Sequence, residues 1–69
     1  MDEPKIGEER ECLVEANDWR RMRLVHRTWD AHWQDYRYEF EQEDGPGRCW
    51  CWSPYLDSFT RPVSKAKLR

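Results

Sequence analysis

Polar and apolar residues alternate in several segments of this chain, starting with residues 10–16. In that segment Cys12, Val14 and Ala16 fall on one side, and glutamates fall on the other. A period of two residues is typical of a strand with one buried face. The Asn17-Asp18 pair that follows tolerates the positive φ of a tight turn, so we expect the strand to turn back there.

Residues 19–29 resume the alternation, with Met22 and Leu24 on one side of the predicted second strand. A helix is the competing interpretation, because Met22, Val25 and Trp29 also recur at helical spacing. The β-branched and aromatic residues favour a strand, and no pair of capping residues encloses the segment. The two segments together therefore predict a β-hairpin.

The clearest alternation lies in residues 33–41, where Tyr36, Tyr38 and Phe40 share one face and charged residues share the other. This segment predicts a third strand whose aromatic face is buried. Residues 44–47 read Asp-Gly-Pro-Gly, a composition typical of turns. We therefore expect the third strand to end before this turn.

A short fourth strand is predicted at residues 48–52, where two cysteines alternate with two tryptophans. The third strand already supplies large aromatic side chains to the core. We therefore place Cys49 and Cys51 in the core and Trp50 and Trp52 outside it. The opposite register, with the tryptophans inside and the thiols exposed, is the alternative.

The last part of the predicted fold is a compact turn followed by a short strand. Ser53-Pro54 begins the turn, and we expect one 3₁₀ turn through residues 55–57. Residues 60–63 then form a fifth strand, which Pro62 restricts to an edge of the sheet.

The composition indicates one small domain with polar ends. A chain of 69 residues has room for a single core. Charged residues make up 38% of it, which favours disorder, but aromatic residues make up 14% and supply enough large rings for a core. We predict a flexible acidic arm at residues 1–9, a folded domain at residues 10–63 and a basic tail at residues 64–69.

Five short strands with a 3₁₀ turn before the last describe a small all-β barrel. The chain resembles the SH3-like barrels, and more closely the small SH3-like proteins that phages and prophages encode. The resemblance is carried by residues 11–14, by Trp19 with Met22 and Leu24, and by residues 52–62. It implies a five-stranded SH3-like barrel and a regulatory or host-takeover role, including inhibition of a host defence complex such as a CRISPR effector. The Ala-Leu-Tyr-Asp-Tyr-type segment and adjacent Trp pair of signalling SH3 domains are missing, so recognition of Pro-rich peptides is not implied.

The surplus of aromatic residues predicts a site that binds a protein partner. With the cysteines inside, Trp50 and Trp52 lie outside, near Tyr55 and Trp33. Exposed aromatic clusters mark binding surfaces, because Trp and Tyr bury a large area with few rotatable bonds. Trp50, Trp52 and Tyr55 together with Asp57 have the composition of a cage for a methylated lysine. The alternative is that the rings cover the open end of the barrel as a second small core.

A nucleic-acid-binding barrel is the alternative function, using the arginine-rich strand at residues 20–27 and the basic tail. The candidate contacts to phosphates or bases are Arg20, Arg21, Arg23, Lys65, Lys67 and Arg69. The net charge of −2 and the pI of about 5.6 argue against this function. Pairing of the arginines with Glu15, Glu39 or Glu41 across neighbouring strands would also neutralise them.

Metal binding and catalysis are not predicted. Cys49 and Cys51 are separated by one residue rather than two to four, although Cys12, His26 and His32 are further candidate ligands. No residue is in place to orient a histidine base, so we expect a protein with neither enzymatic activity nor a cofactor. The odd cysteine count and the lack of a signal-peptide pattern or a long apolar run indicate a cytoplasmic protein that is not in a membrane.

Overall fold

Five antiparallel strands form one sheet in the computed structural model, which describes residues 3–63. The strands are β1 (Glu9–Glu15), β2 (Asp18–Asp30), β3 (Asp35–Glu41), β4 (Arg48–Trp52) and β5 (Thr60–Pro62). A 3₁₀ turn (Ser53–Tyr55) and a single helical turn, α1 (Leu56–Phe59), connect β4 to β5. The strand order is β4-β3-β2-β1-β5, so the predicted β architecture and its five strands are confirmed.

The sheet is open, and the predicted closed barrel is wrong. β5 pairs with β1 over only three positions, from Arg10 opposite Pro62 to Cys12 opposite Thr60. β4 pairs with β3, and within residues 3–63 no pairing joins β4 to β5. Pro62 has no N–H group to donate and is the last residue of β5, so this strand of three residues offers β4 only a short edge for pairing.

The core lies on one face of this sheet and under α1. Its buried residues are Cys12, Met22, Leu24, Tyr38, Phe40, Cys51 and Leu56. The first six alternate along four strands as the sequence pattern predicts. Tyr36 and Cys49 face the same side but are only partly buried, because they lie at the margins of the core.

The two turns of the sheet contain residues with positive φ. Asn17 has φ 63° and closes the β1–β2 hairpin as predicted, although β1 ends at Glu15 and not at residue 16. Gln34 has φ 55° in the turn between β2 and β3. Its N–H donates to the carbonyl of Asp30 at 2.7 Å, so Trp33 belongs to the turn and not to the predicted third strand.

The segment before β1 contacts β2, although the sequence predicts a flexible arm at residues 1–9. Gly7, with φ 92°, donates its N–H to the carbonyl of Leu24 at 2.8 Å. The N–H of Leu24 in turn donates to the carbonyl of Glu8 at 3.0 Å. These bonds lie next to a β-bulge between Leu24 and His26, where β2 stops pairing regularly with β3. The predicted basic tail lies outside the described residues.

A buried arginine joins the last helical turn to the sheet. The Nε of Arg10 donates to Thr60 Oγ1 at 3.0 Å, and that hydroxyl donates to the carbonyl of Leu56 at 2.7 Å. The 3₁₀ turn starts at Ser53, two residues before its predicted position, and α1 occupies the rest of the connection. No helix within residues 3–63 has the length and apolar character needed to cross a membrane.

Candidate protein-binding surface

The register of β3 and β4 decides which side chains of β4 are exposed. Tyr38 lies opposite Cys51 and Phe40 opposite Cys49, and all four side chains face the core. Successive residues of a strand point to opposite faces, so Trp50 faces outward. The predicted placement is therefore correct for Cys51 and Trp50, while Cys49 is only half-buried.

An open cleft of about 540 Å³ lies on the outer side of the sheet, and we call it the aromatic cleft. Its lining residues are Trp33, Asp35, Trp50, Trp52, Pro54 and Tyr55. They come from the β2–β3 turn, from the start of β3, from β4 and from the 3₁₀ turn. The structure thus brings together four of the five predicted partner-binding residues.

The rings of the aromatic cleft contact one another around Trp52. The centroids of Trp50 and Trp52 are 5.4 Å apart at an interplanar angle of 86°, and those of Trp33 and Trp52 are 6.2 Å apart. Edge-to-face contacts of this kind are favourable and fix the rings relative to one another. Trp33, Trp50 and Tyr55 are 64%, 55% and 51% exposed, so the rings do not form a buried second core.

The acidic group of the cleft is Asp35 and not the predicted Asp57. Asp57 is exposed on α1 and lines a different cleft, together with Pro4 and Arg27. Asp35 follows the positive-φ residue of the β2–β3 turn, and its Oδ1 accepts the N–H of Tyr36 at 3.0 Å. Sequence reasoning missed Asp35 because β3 was predicted to begin at Trp33, which hid the turn that brings both residues to the cleft.

A second, smaller cleft runs along β4 and is called the seam here. Its volume is about 330 Å³, and four consecutive residues of β4, Cys49–Trp52, line one side of it. Leu13, Tyr55, Phe59 and Thr60 line the rest. Consecutive residues of a strand point to opposite faces of the sheet, so a cleft that contacts four of them in a row must lie beside the strand. The seam therefore lies along the edge of β4 that faces away from β3. Neither Leu13 nor Phe59 was predicted to belong to a binding site.

The charged groups beside the aromatic cleft are paired with one another. Arg37 Nη2 lies 2.9 Å from Glu39 Oε2 in an ion pair, and His26 Nδ1 lies 3.3 Å from Glu39 Oε1. The guanidinium carbon of Arg37 is 5.7 Å from the ring centroid of Trp50. A cation therefore already lies near one ring of the cleft, as expected for the negative face of an indole.

The arginines of β2 are engaged by acidic groups. Arg23 contacts Glu43 at 2.9 Å and Glu9 at 3.2 Å, and Arg21 lies 3.9 Å from Glu9. The hydrogen bond between Arg23 and Glu43 raises the pKa of the arginine and lowers the pKa of the carboxyl. These partners lie at the start of β1 and in the β3–β4 connection, and not at the positions that the sequence predicted.

Arg20 is also paired, with Asp18 at 3.2 Å. The predicted acidic partners were Glu15, Glu39 and Glu41, of which Glu39 and Glu41 instead contact Arg37 and Arg48. The remaining candidate nucleic-acid contacts, Lys65, Lys67 and Arg69, lie outside the described residues.

A separate aromatic group lies on the inner side of the long β2–β3 hairpin. Trp29 and Tyr36 are in edge contact, with centroids 5.1 Å apart, and Arg27 lies over Tyr36 at 3.9 Å. The Nε of Arg27 also donates to the hydroxyl of Tyr38 at 3.1 Å. Trp29 is 52% exposed, so it offers a surface tryptophan away from β4.

The three cysteines are free and face the core. The interaction between the neighbouring thiols of Cys12 and Cys49 raises the pKa of Cys12 and lowers that of Cys49. Burial raises the pKa of Cys51 to about 11. The Sγ of Cys49 lies 3.6 Å from Met22 Sδ. Within residues 3–63, no three His, Cys, Asp or Glu side chains are grouped closely enough to hold a metal ion.

Comparison of the chain with protein-family models, with curated proteins and with solved structures finds no match. A function for this protein has to be inferred from the two clefts and from the charges around them.

Proposed function

We propose that this protein is a non-enzymatic interaction module that binds a protein partner through the aromatic cleft. The observation that carries the proposal is the exposure of Trp33, Trp50 and Tyr55 around a single open cleft. Small soluble domains rarely leave several large rings together in water, and such groups are typical of protein interfaces. Trp and Tyr also dominate the binding energy of interfaces in general.

The chemistry of the cleft favours a cationic side chain of the partner. Ring faces attract cations, and Asp35 adds a carboxylate to the same cleft. The arginines that contact rings elsewhere in this molecule, Arg27 over Tyr36 and Arg61 over Trp19, show the same preference. An arginine, a lysine or a methylated lysine of the partner therefore suits the cleft better than an acidic side chain.

The placement of the nucleophiles supports a non-enzymatic role. The cysteine side chains face the core, while His26 lies on the outer side of the sheet beside Glu39. His32 contacts Trp33 in the β2–β3 turn, with ring centroids 5.0 Å apart. In the part of the chain that the structure describes, no histidine therefore lies where it would activate a core thiol.

The broader proposal is an SH3-like regulatory or host-takeover protein of a phage or prophage, acting in the host cytoplasm. Inhibition of a host defence complex, such as a CRISPR effector, is one such role. Five antiparallel strands with a 3₁₀ turn before the last support an SH3-like topology that is not fully closed. The biological setting rests on the resemblance of the sequence to small phage-encoded barrels.

The first experiment is affinity capture from a bacterial lysate with immobilised protein. Wild type is compared with Trp33→Ala/Tyr55→Ala, which removes two exposed rings from the cleft without changing β4. Trp29→Ala is the matched control, because it removes an exposed tryptophan from the other side of the sheet. We expect a partner that the wild type and the control retain and that the double variant loses. Equal recovery by all three proteins would contradict the proposal.

Nucleic-acid binding is not favoured by the geometry, since Arg20, Arg21 and Arg23 are all paired with carboxylates. A gel shift at about 50 mM salt tests this directly, because binding through phosphates is strongest at low salt. We expect no retardation by micromolar protein. Retardation that weakens steeply with added salt would instead support the nucleic-acid function.

A further inference from the structure

The two edges of the sheet are built in opposite ways. β5 is three residues long, carries Arg61 and ends in Pro62, all of which discourage another strand from pairing with it. β4 has five residues, contains neither Pro nor a bulge, carries its one charge, Arg48, at its first position, and keeps a continuous register with β3. Natural proteins usually protect an exposed edge strand. Leu13 and Phe59 lie across the seam from β4, but within residues 3–63 no strand pairs with its edge, so β4 is the edge that can accept another strand.

The surroundings of β4 are suited to an added strand. The seam runs along its unpaired edge, and Leu13 and Phe59 give that cleft an apolar lining. No other strand within residues 3–63 pairs with this edge. A strand laid there would satisfy the backbone groups of β4 and cover part of the exposed surface of Phe59.

The sequence of β4, Arg-Cys-Trp-Cys-Trp, is complementary to itself in antiparallel pairing. With Trp50 on a two-fold axis, Trp50 faces Trp50 of the second copy, and Arg48 faces Trp52 of the second copy. Both pairs lie on the outer face, where Arg48 is 77% exposed at its side chain. Tryptophan pairs and arginine–tryptophan contacts across strands are both favourable. Because the dimer has two-fold symmetry, the contact between Arg48 and Trp52 occurs twice.

We propose that two copies of this chain associate through β4, which pairs antiparallel with β4 of the second copy around Trp50. The two sheets then form one continuous sheet of ten strands. The contact consists of a five-residue strand and a few aromatic side chains, which is small for a protein interface, so we expect a dimer that dissociates in the micromolar range. A strand from another protein would also fit the edge, but the self-complementary outer face favours a second copy.

The test is the oligomeric state of the pure protein, measured by sedimentation from about 5 to about 500 µM. Wild type is expected to move from monomer to dimer over this range. Trp50→Lys and Trp50→Glu each place two like charges at the two-fold axis, and each is expected to weaken dimerisation at least tenfold. An equimolar mixture of the two variants places opposite charges there and is expected to restore the dimer.

The matched control is Trp29→Lys, which changes an equally exposed tryptophan on the hairpin and is expected to dimerise like wild type. A wild type that stays monomeric at the highest concentration would overturn the proposal. So would unchanged dimerisation of both Trp50 variants, or a mixture that stays monomeric. The result can be separated from that of the lysate experiment with Trp33→Ala alone, because Trp33 lines the aromatic cleft and not the seam, so this variant is expected to dimerise.

Amide hydrogen exchange of the wild type locates the contact without any substitution. At high protein concentration we expect slower exchange in β4 and unchanged exchange in β5. A concentration-dependent dimer in which the amides of β4 are unaffected would place the interface elsewhere and contradict the proposal.

Discussion

The inner and outer faces of the β3–β4 pair carry the same kinds of residue in opposite environments. On the inner face Tyr38 and Phe40 are fully buried against Cys51. On the outer face Trp50, which precedes Cys51 in β4, is 55% exposed and lies beside the ion pair of Arg37 and Glu39. Of the ten aromatic rings, Tyr36, Tyr38 and Phe40 pack in or against the core. Five others are exposed, namely Trp29, Trp33, Trp50, Tyr55 and Phe59.

The contrast follows from the volume that one small sheet can enclose. The inner face is covered by α1, whose Leu56 belongs to the core, and the segment before β1 is bonded to β2 next to its bulge. The outer face has no covering layer in the described residues. Rings on that face remain in water unless a partner or a second copy covers them.

The largest expected effect comes from removing a ring from the inner face. Phe40→Ala is expected to cost about 3–5 kcal/mol, because the substitution loses the transfer free energy of the ring and leaves a cavity. A domain of this size has little stability to spare, so we expect most of the chain to be unfolded at room temperature. Circular dichroism during a urea titration measures the effect. A loss below about 1 kcal/mol would mean that the ring is not enclosed as described.

The thiols on the inner face are expected to contribute less. Cys51→Ala should cost about 1–2 kcal/mol through lost packing, and Cys49→Ala should cost less because Cys49 lies at the margin of the core. Urea denaturation of both variants checks this order. A reversed order would indicate that the contact of Cys49 Sγ with Met22 Sδ matters more to stability than burial does.

Alkaline pH should lower the free energy of unfolding, because it ionises the thiol of Cys51 in the unfolded chain first. Burial raises the pKa of Cys51 to about 11 from an ordinary value of 9.0. Between these pH values the thiol of the unfolded chain ionises while the thiol of the folded chain keeps its proton, so stability present below pH 9 is lost as the pH rises towards 11. At pH 10 the loss from this group is about 1 kcal/mol.

The matched control for the alkaline effect is Cys51→Ala, because it removes this one titration and keeps all others. Urea denaturation of wild type and variant at pH 7.5 and pH 10 should show a smaller fall for the variant. An equal fall in both proteins would mean that the thiol ionises as easily in the folded chain as in the unfolded one.

Most of the fold could be predicted because short-range patterns determine it. The alternation in β1 to β4 predicts which side chains are buried, and Asn17 predicts the first turn. The closure of the sheet could not be predicted, because it depends on how far β5 extends beyond Thr60 and on where α1 lies. Both are set by contacts between distant residues, such as the hydrogen bond from Arg10 to Thr60.

The candidate site could be predicted in its aromatic part only. Trp50 follows from the alternation of β4, since its two neighbours face the core. The acidic residue was assigned to Asp57 because that residue is close to Tyr55 in sequence, whereas Asp35 reaches the cleft through the turn at Gln34. The ion pairs of the β2 arginines were likewise assigned to the wrong acids, because the β1 and β3 registers that select them are not visible in the sequence.

The smallest expected effect on stability comes from the outer face. Trp50→Ala should lower the free energy of unfolding by less than about 1 kcal/mol at protein concentrations where the chain is monomeric, because Trp50 is 55% exposed and loses only its edge contact with Trp52. At concentrations where the dimer forms, the same substitution should lower the apparent stability of the protein relative to wild type, since association stabilises only the folded state. Urea denaturation at two protein concentrations separates these contributions. A large loss at the lower concentration would show that Trp50 belongs to the fold, and the distinction between the two faces of the β3–β4 pair would then fail.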